Sequence, residues 1–320
     1  MEHRTLTGTD LTVSRACLGV MTFGGQTGRA DAERMVDLCL ERGVNFFDTA
    51  NAYTGGEAER MLGEVLGARR KNVVVASKVG VKAGDQPAGL SAVAIARAIE
   101  DSLRRLHTDY LDVYYMHLPD AATPLEESLE AMDRLVRQGK VRWIASSNFA
   151  AWQLCRLHWI AEKRRYQPPR IAQPMYNLLA RRIEAEFLPA CRELGVSTFV
   201  YNPLAGGLLT GKQSAERPLP GTRFDANQMY LDRYWNSANF EAVERLKAVA
   251  ADAGRSLVSL ALNWLLRHTP VEGVILGASK LEHLRQNLDA MEEAPLASGT
   301  LEACDGVWAM LKGAAPKYNR

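Results

Sequence analysis

The sequence predicts an α/β protein of the (β/α)8 TIM barrel class, with an N-terminal β-hairpin and extended loops towards the C-terminus. Three observations carry this. Apolar runs alternate with amphipathic stretches along the chain. The runs number eight, and most are short, β-branched or aromatic and nearly continuous in apolarity, the pattern of strands buried on both faces of a parallel sheet. Eight strand–helix units in 320 residues fit one barrel, so 1–320 reads as a single domain with decorated loops.

The runs cover 16–22, 44–49, 73–79, 111–118, 141–146, 171–176, 197–202 and 273–276. Between them, 31–42 ends at Gly43 and 57–66 ends at Gly67, both in the manner of helices closed by a glycine. The stretch 91–107 has Ser91 as N-cap and Val93, Ile95, Ile99 and Leu103 at helical spacing. In 124–138 Pro124 stands in the first turn, Glu126 and Glu127 follow it, and Gly139 ends the helix. Helices over 150–165, 186–194 and 280–291 complete the alternation, and 240–253 and 256–268 are two more before the last strand. Residues 5–12 read as a hairpin ahead of the barrel. The segment 213–238, with Pro218, Pro220, Gly221, Tyr230, Tyr234 and Trp235, is long enough to read as a lid.

Composition narrows the function classes. The 39 Lys and Arg nearly balance the 37 Asp and Glu, giving +2, so the basic excess of a nucleic-acid binder is missing. An apolar fraction of 47% is enough to build a core. No apolar run approaches the roughly 18 residues of a membrane span, and the start lacks the apolar region of a secretory signal. The five cysteines, Cys17, Cys39, Cys155, Cys191 and Cys304, are odd in number and form no C-x-x-C pair. That argues against a disulfide framework or a zinc site and fits a reduced, cytoplasmic setting.

Barrel enzymes carry their chemistry at the C-terminal ends of strands. The second run ends at Asp48, with Tyr53 five residues on; the third ends at Ser77-Lys78, the fourth at Met116-His117. Taken singly, each is an ordinary solvated or structural residue. Together, at successive strand ends, they converge on one rim. A phenol with an ordinary pKa of about 10 is a poor acid. An adjacent Lys78 ammonium, held by Asp48, would favour the phenolate and so make Tyr53 a better acid, while His117 would orient the oxygen being protonated. A metal-dependent hydrolase reading could use Asp48, His117 and Asp120, but a lysine and a tyrosine stand among them and no H-x-H pair ends a strand.

These residues resemble the aldo-keto reductase superfamily. The stretch 47–59 is similar to its first signature, and Asp48, Tyr53, Lys78 and His117 match its catalytic tetrad. The resemblance extends to the cofactor. Ser147, Asn148 and Gln173 match the contacts to the nicotinamide carboxamide, and Tyr201 matches the aromatic residue that stacks on the ring. Pro203, Leu204, Gly206, Gly211 and Lys212 match the loop along the pyrophosphate. This loop mimics a P-loop, but Gln213 replaces the required Ser or Thr and no helix opens directly, so an ATPase reading is rejected. Gly277, Ser279, Lys280, His283, Gln286 and Asn287 match the adenosine-phosphate site. A helix N-terminus with Lys280 and Arg285 nearby implies NADPH rather than NADH. His283 and Arg285 depart from the usual pattern, and His283 is itself a candidate phosphate ligand.

Within the superfamily the sequence is most similar to the aflatoxin-aldehyde and succinic-semialdehyde reductase branch. The stretches 117–120, 123–127, 148–152, 202–207 and 316–320 carry the likeness, with Arg223-Phe224 and Arg233-Tyr234-Trp235. The resemblance implies an NADPH-dependent, metal-free reductase of small aldehydes and ketones, dicarbonyls and semialdehydes included, with Arg233 and Arg320 matching arginines that face the substrate. It implies no nucleic-acid or membrane partner. Members of the branch are often homodimers, although this sequence displays no defensible interface. Potassium-channel β-subunits also resemble these reductases, and they provide the alternative: a cofactor-sensing binding subunit with weak turnover.

Overall fold

The structure, a computed structural model, describes residues 1–83, 88–225 and 227–314. The chain divides into two compact units. The first comprises 1–174, 183–201 and 271–286, and the second comprises 175–182, 202–270 and 287–320.

All eight expected runs form strands, and all lie in the first unit. Strands β1 (His3–Thr5) and β2 (Thr12–Ser14) pair antiparallel as the hairpin. The barrel strands are β3 (Ala16–Gly19), β4 (Phe46–Asp48), β5 (Val74–Val79), β6 (Leu111–Met116), β7 (Val141–Ser147), β8 (Ile171–Gln173), β9 (Ser197–Val200) and β10 (Gly273–Gly277). Each pairs in parallel with the next, and β10 returns to β3, closing the barrel. Several strands stop short of the apolar run because the last residues of the run already belong to the loops at the barrel mouth.

The barrel interior is a packed core. Cys17, Phe46, Val74, Ala76, Val113, Tyr115, Ala145, Ile171, Phe199 and Ile275 project into it, joined by Leu6, Leu11 and Val13 from the hairpin region. The hairpin therefore plugs one end. It is latched by Asp10, which accepts hydrogen bonds from Arg142 Nη2 at 2.7 Å and Trp143 Nε1 at 2.8 Å. Strand side chains alternate between faces with a period of two, so in six strands the position two residues beyond the last inward apolar residue also points inward. Those positions are Asp48, Lys78, His117, Ser147, Gln173 and Tyr201, a polar layer laid on an apolar one.

The first unit's helices are α1 (Arg29–Glu41), α2 (Glu57–Leu66), α3 (Ala92–Arg105), α4 (Leu125–Arg137), α5 (Ala151–Arg164) and α6 (Phe187–Leu194). Ser91 caps α3 as expected, its Oγ accepting from the Ala94 amide at 3.3 Å. Val93, however, is 78% exposed, and the buried stripe runs through Ala94, Ile95, Ala98, Ile99, Ser102 and Leu103. Two residues from Ile95 is roughly 200° of helical rotation, so Val93 faces away from the core. Pro124 occupies the N-cap position just ahead of α4.

The second unit is helical. Its elements are α7 (Gln228–Tyr234), α8 (Ser237–Asp252), α9 (Leu257–His268) and α11 (Ser298–Lys312), while α10 (Leu281–Glu292) runs on from the first unit. The described residues of the segment 213–238 are anchored within this unit by aromatic side chains. Phe224 and Tyr234 are buried, and Phe224, Tyr230, Trp235 and Phe240 form a chain of ring contacts with centroids 4.9–6.2 Å apart. Gly206 has φ +69°, and a Cβ there would stand 2.7 Å from the Tyr230 ring.

Candidate active site

Pleat parity brings the four expected chemical residues to one end of the barrel. Asp48 closes β4, Lys78 lies near the end of β5, His117 follows β6, and Tyr53 opens a short 3₁₀ turn ahead of α2. Lys78 is fully buried and forms an ion pair with Oδ1 of Asp48, which is 3% exposed. Its Nζ also donates to the Thr49 carbonyl at 2.7 Å. The same ammonium hydrogen-bonds the Tyr53 hydroxyl and lies 4.9 Å from the centre of its ring. The His117 ring meets Tyr53 edge-on, with centroids 5.9 Å apart.

The electrostatics follow from burial and pairing. Burial works against the Lys78 charge, but the Asp48 carboxylate outweighs it, with Tyr53 contributing, and holds the ammonium above its ordinary value. Burial pushes the Asp48 carboxyl up, and Lys78 and Gln173 pull it only part of the way back. His117 is driven down to about 3, first by burial and then by the Lys78 charge, so its imidazole is neutral at physiological pH. Among the described residues nothing hydrogen-bonds its Nδ1, a buried polar atom suited to a ligand group. An ammonium can only donate, so the phenol oxygen of Tyr53 accepts from Lys78 and keeps its own proton for transfer elsewhere.

The carboxamide candidates also come together. Ser147 Oγ donates to the Gln173 carbonyl at 2.9 Å. Asn148, at φ 63°, donates from Nδ2 to the His117 carbonyl at 2.9 Å and to Ser147 Oγ at 3.0 Å. Tyr201 donates its hydroxyl to Asn148 Oδ1 at 2.7 Å, which fixes a half-buried ring beside the polar layer. Gln173 is buried, and its Nε2 donates to Oδ2 of Asp48 at 2.9 Å.

The remaining candidates are distributed as follows. Gly277 ends β10, and Ser279 and Lys280 lead into α10, where His283 and Gln286 are exposed and Asn287 is buried. Gln286 donates to Glu282 at 3.0 Å. Pro203, Leu204, Gly206, Gly211 and Lys212 belong to the second unit, as does Arg233, whose guanidinium lies 5.8 Å from the Tyr230 ring. The glycines Gly206 and Gly211 are required within that unit itself. Both have positive φ, and their Cβ positions would meet Tyr230 and Lys247. Arg320 falls outside the described residues. Among the described residues no group of three or more His, Cys, Asp or Glu could hold a metal ion, and no helix is long and apolar enough to cross a membrane.

One cluster was missed in the sequence. Glu59 of α2 is wholly buried, bonded to Ser77 Oγ through Oε1 and to Arg105 Nε through Oε2 at 2.6 Å. It ties the helix after Tyr53 to the strand that carries Lys78. The signal was Ser77 itself, which the pleat must turn outwards, beside Lys78, and which then needs a polar partner in the helix layer.

The model of the aldo/keto reductase family matches residues 15–309. The chain belongs to the aldo/keto reductase family. As an aldo/keto reductase it is an oxidoreductase. It is 35% identical to aflatoxin B1 aldehyde reductase member 2 of Rattus norvegicus, over 95% of this chain and 87% of the relative. It is 38% identical to the uncharacterized oxidoreductase YrpG of Bacillus subtilis, over 91% of each. It is 35% identical to a probable voltage-gated potassium channel subunit beta of Oryza sativa, over 98% and 97% respectively.

Proposed function

We propose that this aldo/keto reductase reduces aldehydes and ketones, dicarbonyls and semialdehydes included, to alcohols with NADPH. The observation that carries the reading is the buried Lys78 ammonium, ion-paired with Asp48 and hydrogen-bonded to the Tyr53 hydroxyl. When bound, NADPH supplies the hydride to the carbonyl carbon. Tyr53 delivers its proton to the carbonyl oxygen, and Lys78 stabilises the phenolate left behind. Neutral His117 hydrogen-bonds the same oxygen and orients it; an imidazole poised near 3 is no competing acid at neutral pH.

Ser147, Asn148, Gln173 and Tyr201 fit a planar carboxamide and its ring, since they offer contiguous donors and acceptors beside a clamped aromatic face. Gly277, Ser279, Lys280, His283, Gln286 and Asn287 are assigned to the adenosine phosphate, with Lys280 and Arg285 as cations favouring NADPH. Pro203, Leu204, Gly206, Gly211 and Lys212 are assigned to the pyrophosphate on their resemblance alone. Arg233 and Arg320 are assigned to a substrate carboxylate, for which a guanidinium gives bidentate recognition. Arg233→Ala then raises KM for succinic semialdehyde but not for a neutral aldehyde. An equal change for both removes that assignment.

The test is a titration of tryptophan fluorescence with NADPH and NADH, followed by aldehyde addition and product analysis. Tight NADPH binding with stoichiometric alcohol formation supports the reading, and absence of binding refutes it. The plant relative named as a channel subunit favours a second reading, a cofactor-sensing binding subunit. Tight binding with negligible turnover on every aldehyde selects that one.

A further inference from the structure

Gln173 does more than line the polar layer. Its side chain reaches across the barrel mouth from β8, and Nε2 meets Oδ2 of Asp48 at 2.9 Å. An ionised carboxylate only accepts, so the amide must present its nitrogen there, and its orientation is fixed by chemistry. One N–H of the amide is thereby committed to Asp48, and the second N–H and Oε1 remain for other partners. Asp48 has two oxygens, and Oδ1 holds Lys78 while Oδ2 holds Gln173. With both engaged, the carboxylate cannot swing and the ammonium cannot follow it away from Tyr53. The backbone of Gln173 is held as well, because its main-chain carbonyl accepts from Ser147 Oγ at 2.9 Å.

We propose that Gln173 is a positioning residue for carbonyl reduction, fixing the Asp48 carboxylate so that Lys78 stays against the Tyr53 hydroxyl. This inference rests on the reductase reading. The groups facing Asp48 are Lys78 from β5, Cys17 from β3 and Tyr115 from β6, with Tyr53 and His117 beyond Lys78. Of these, only Lys78 holds the Asp48 proton off, with Gln173 adding to it. Removing the amide therefore makes Asp48 take up a proton at higher pH. Once Asp48 is neutral, Lys78 loses its counter-charge and Tyr53 its positioned cation.

The experiment uses Gln173→Leu and the nearly isosteric Gln173→Glu in the full chain, with two readouts. One is the pH profile of kcat beside the Kd for NADPH. The other is the titration of Asp48 by NMR in protein labelled with 13C at the aspartate carboxyl, which needs no turnover. In Gln173→Leu the Asp48 midpoint and the acid limb of kcat both move up by about one pH unit, the size of one hydrogen bond to a charged group. The Kd rises by less than about fivefold, the worth of one neutral hydrogen bond. In Gln173→Glu the introduced carboxyl donates to Asp48 only while protonated, so activity survives at acid pH and falls as that group ionises. Unchanged midpoint and pH profile, with the loss confined to Kd, overturn the proposal, as does a pH-independent loss of kcat in both variants. If the wild type turns over no aldehyde, the reductase reading fails, and the NMR titration still decides whether Gln173 controls Asp48.

Discussion

Replacing Lys78 by methionine keeps the length of the side chain and removes its charge. In the folded protein Lys78 is fully buried, and the Asp48 side chain it pairs with is 3% exposed. Breaking a buried pair by removing one partner costs roughly 3–5 kcal/mol. With an unfolding entropy of about 2.1 cal/mol/K per residue, 320 residues lose roughly 1.5 °C of Tm per kcal/mol, so the expected drop at neutral pH is roughly 5–8 °C. The pH dependence identifies the cause. Asp48 already has a folded-state pKa above its unfolded value because of burial, and loss of Lys78 raises it further. Between the unfolded and folded values the native state binds the extra proton, so lowering the pH favours folding of the variant. In the wild type Lys78 holds that rise back, so the same fall in pH favours folding less. The Tm gap between the two proteins should therefore be widest near pH 8 and shrink steadily towards pH 5. Thermal unfolding across this range, by circular dichroism, is the assay. A gap that stays constant with pH refutes the reasoning.

Further outcomes follow from single residues. His117 is held down to about 3 against an unfolded value of about 6.5. Its contribution to stability is therefore complete above the unfolded value and is lost as pH falls towards the folded one. His117→Gln should flatten the acid slope of unfolding free energy, and the wild-type kcat profile should show no His117 limb between roughly pH 5 and 8. Gly206→Ala combines φ +69° with a Cβ 2.7 Å from the Tyr230 ring, and should cost about 2–4 kcal/mol in urea unfolding. Gly207→Ala, at φ +106° with no atom within 4 Å of its Cβ, should show only the backbone part, about 1–2 kcal/mol. Equal losses would mean that Tyr230 does not define the packing there.

Much of the barrel was legible because strands buried on both sides lose their polar alternation and stand out as short apolar runs. The site was legible for a related reason. In Phe46-x-Asp48, Ala76-x-Lys78 and Tyr115-x-His117 a polar residue takes the inward parity just beyond an apolar layer, and Ala145-x-Ser147, Ile171-x-Gln173 and Phe199-x-Tyr201 repeat it. Contacts set by closure of the barrel were not legible. Gln173 and Asp48 are 125 residues apart, and only the closed barrel brings their side chains together. Glu59, Ser77 and Arg105 meet because α2 and α3 pack on β5, which no local pattern encodes. Helix α7 has 7 residues, too few for a periodic signal. Helix α11 carries Gly299 and Gly306, which dilute its helical propensity. Val93 shows the opposite error, an apolar residue near the right spacing but on the wrong side of the helix.

Tyr53→Phe tests the central claim most directly. It removes one hydroxyl and leaves the ring against His117 and Lys78. The account predicts that NADPH binds with nearly unchanged Kd while kcat for aldehyde reduction falls about 10²–10⁴-fold, the usual worth of a positioned acid. Full turnover by that variant would contradict it.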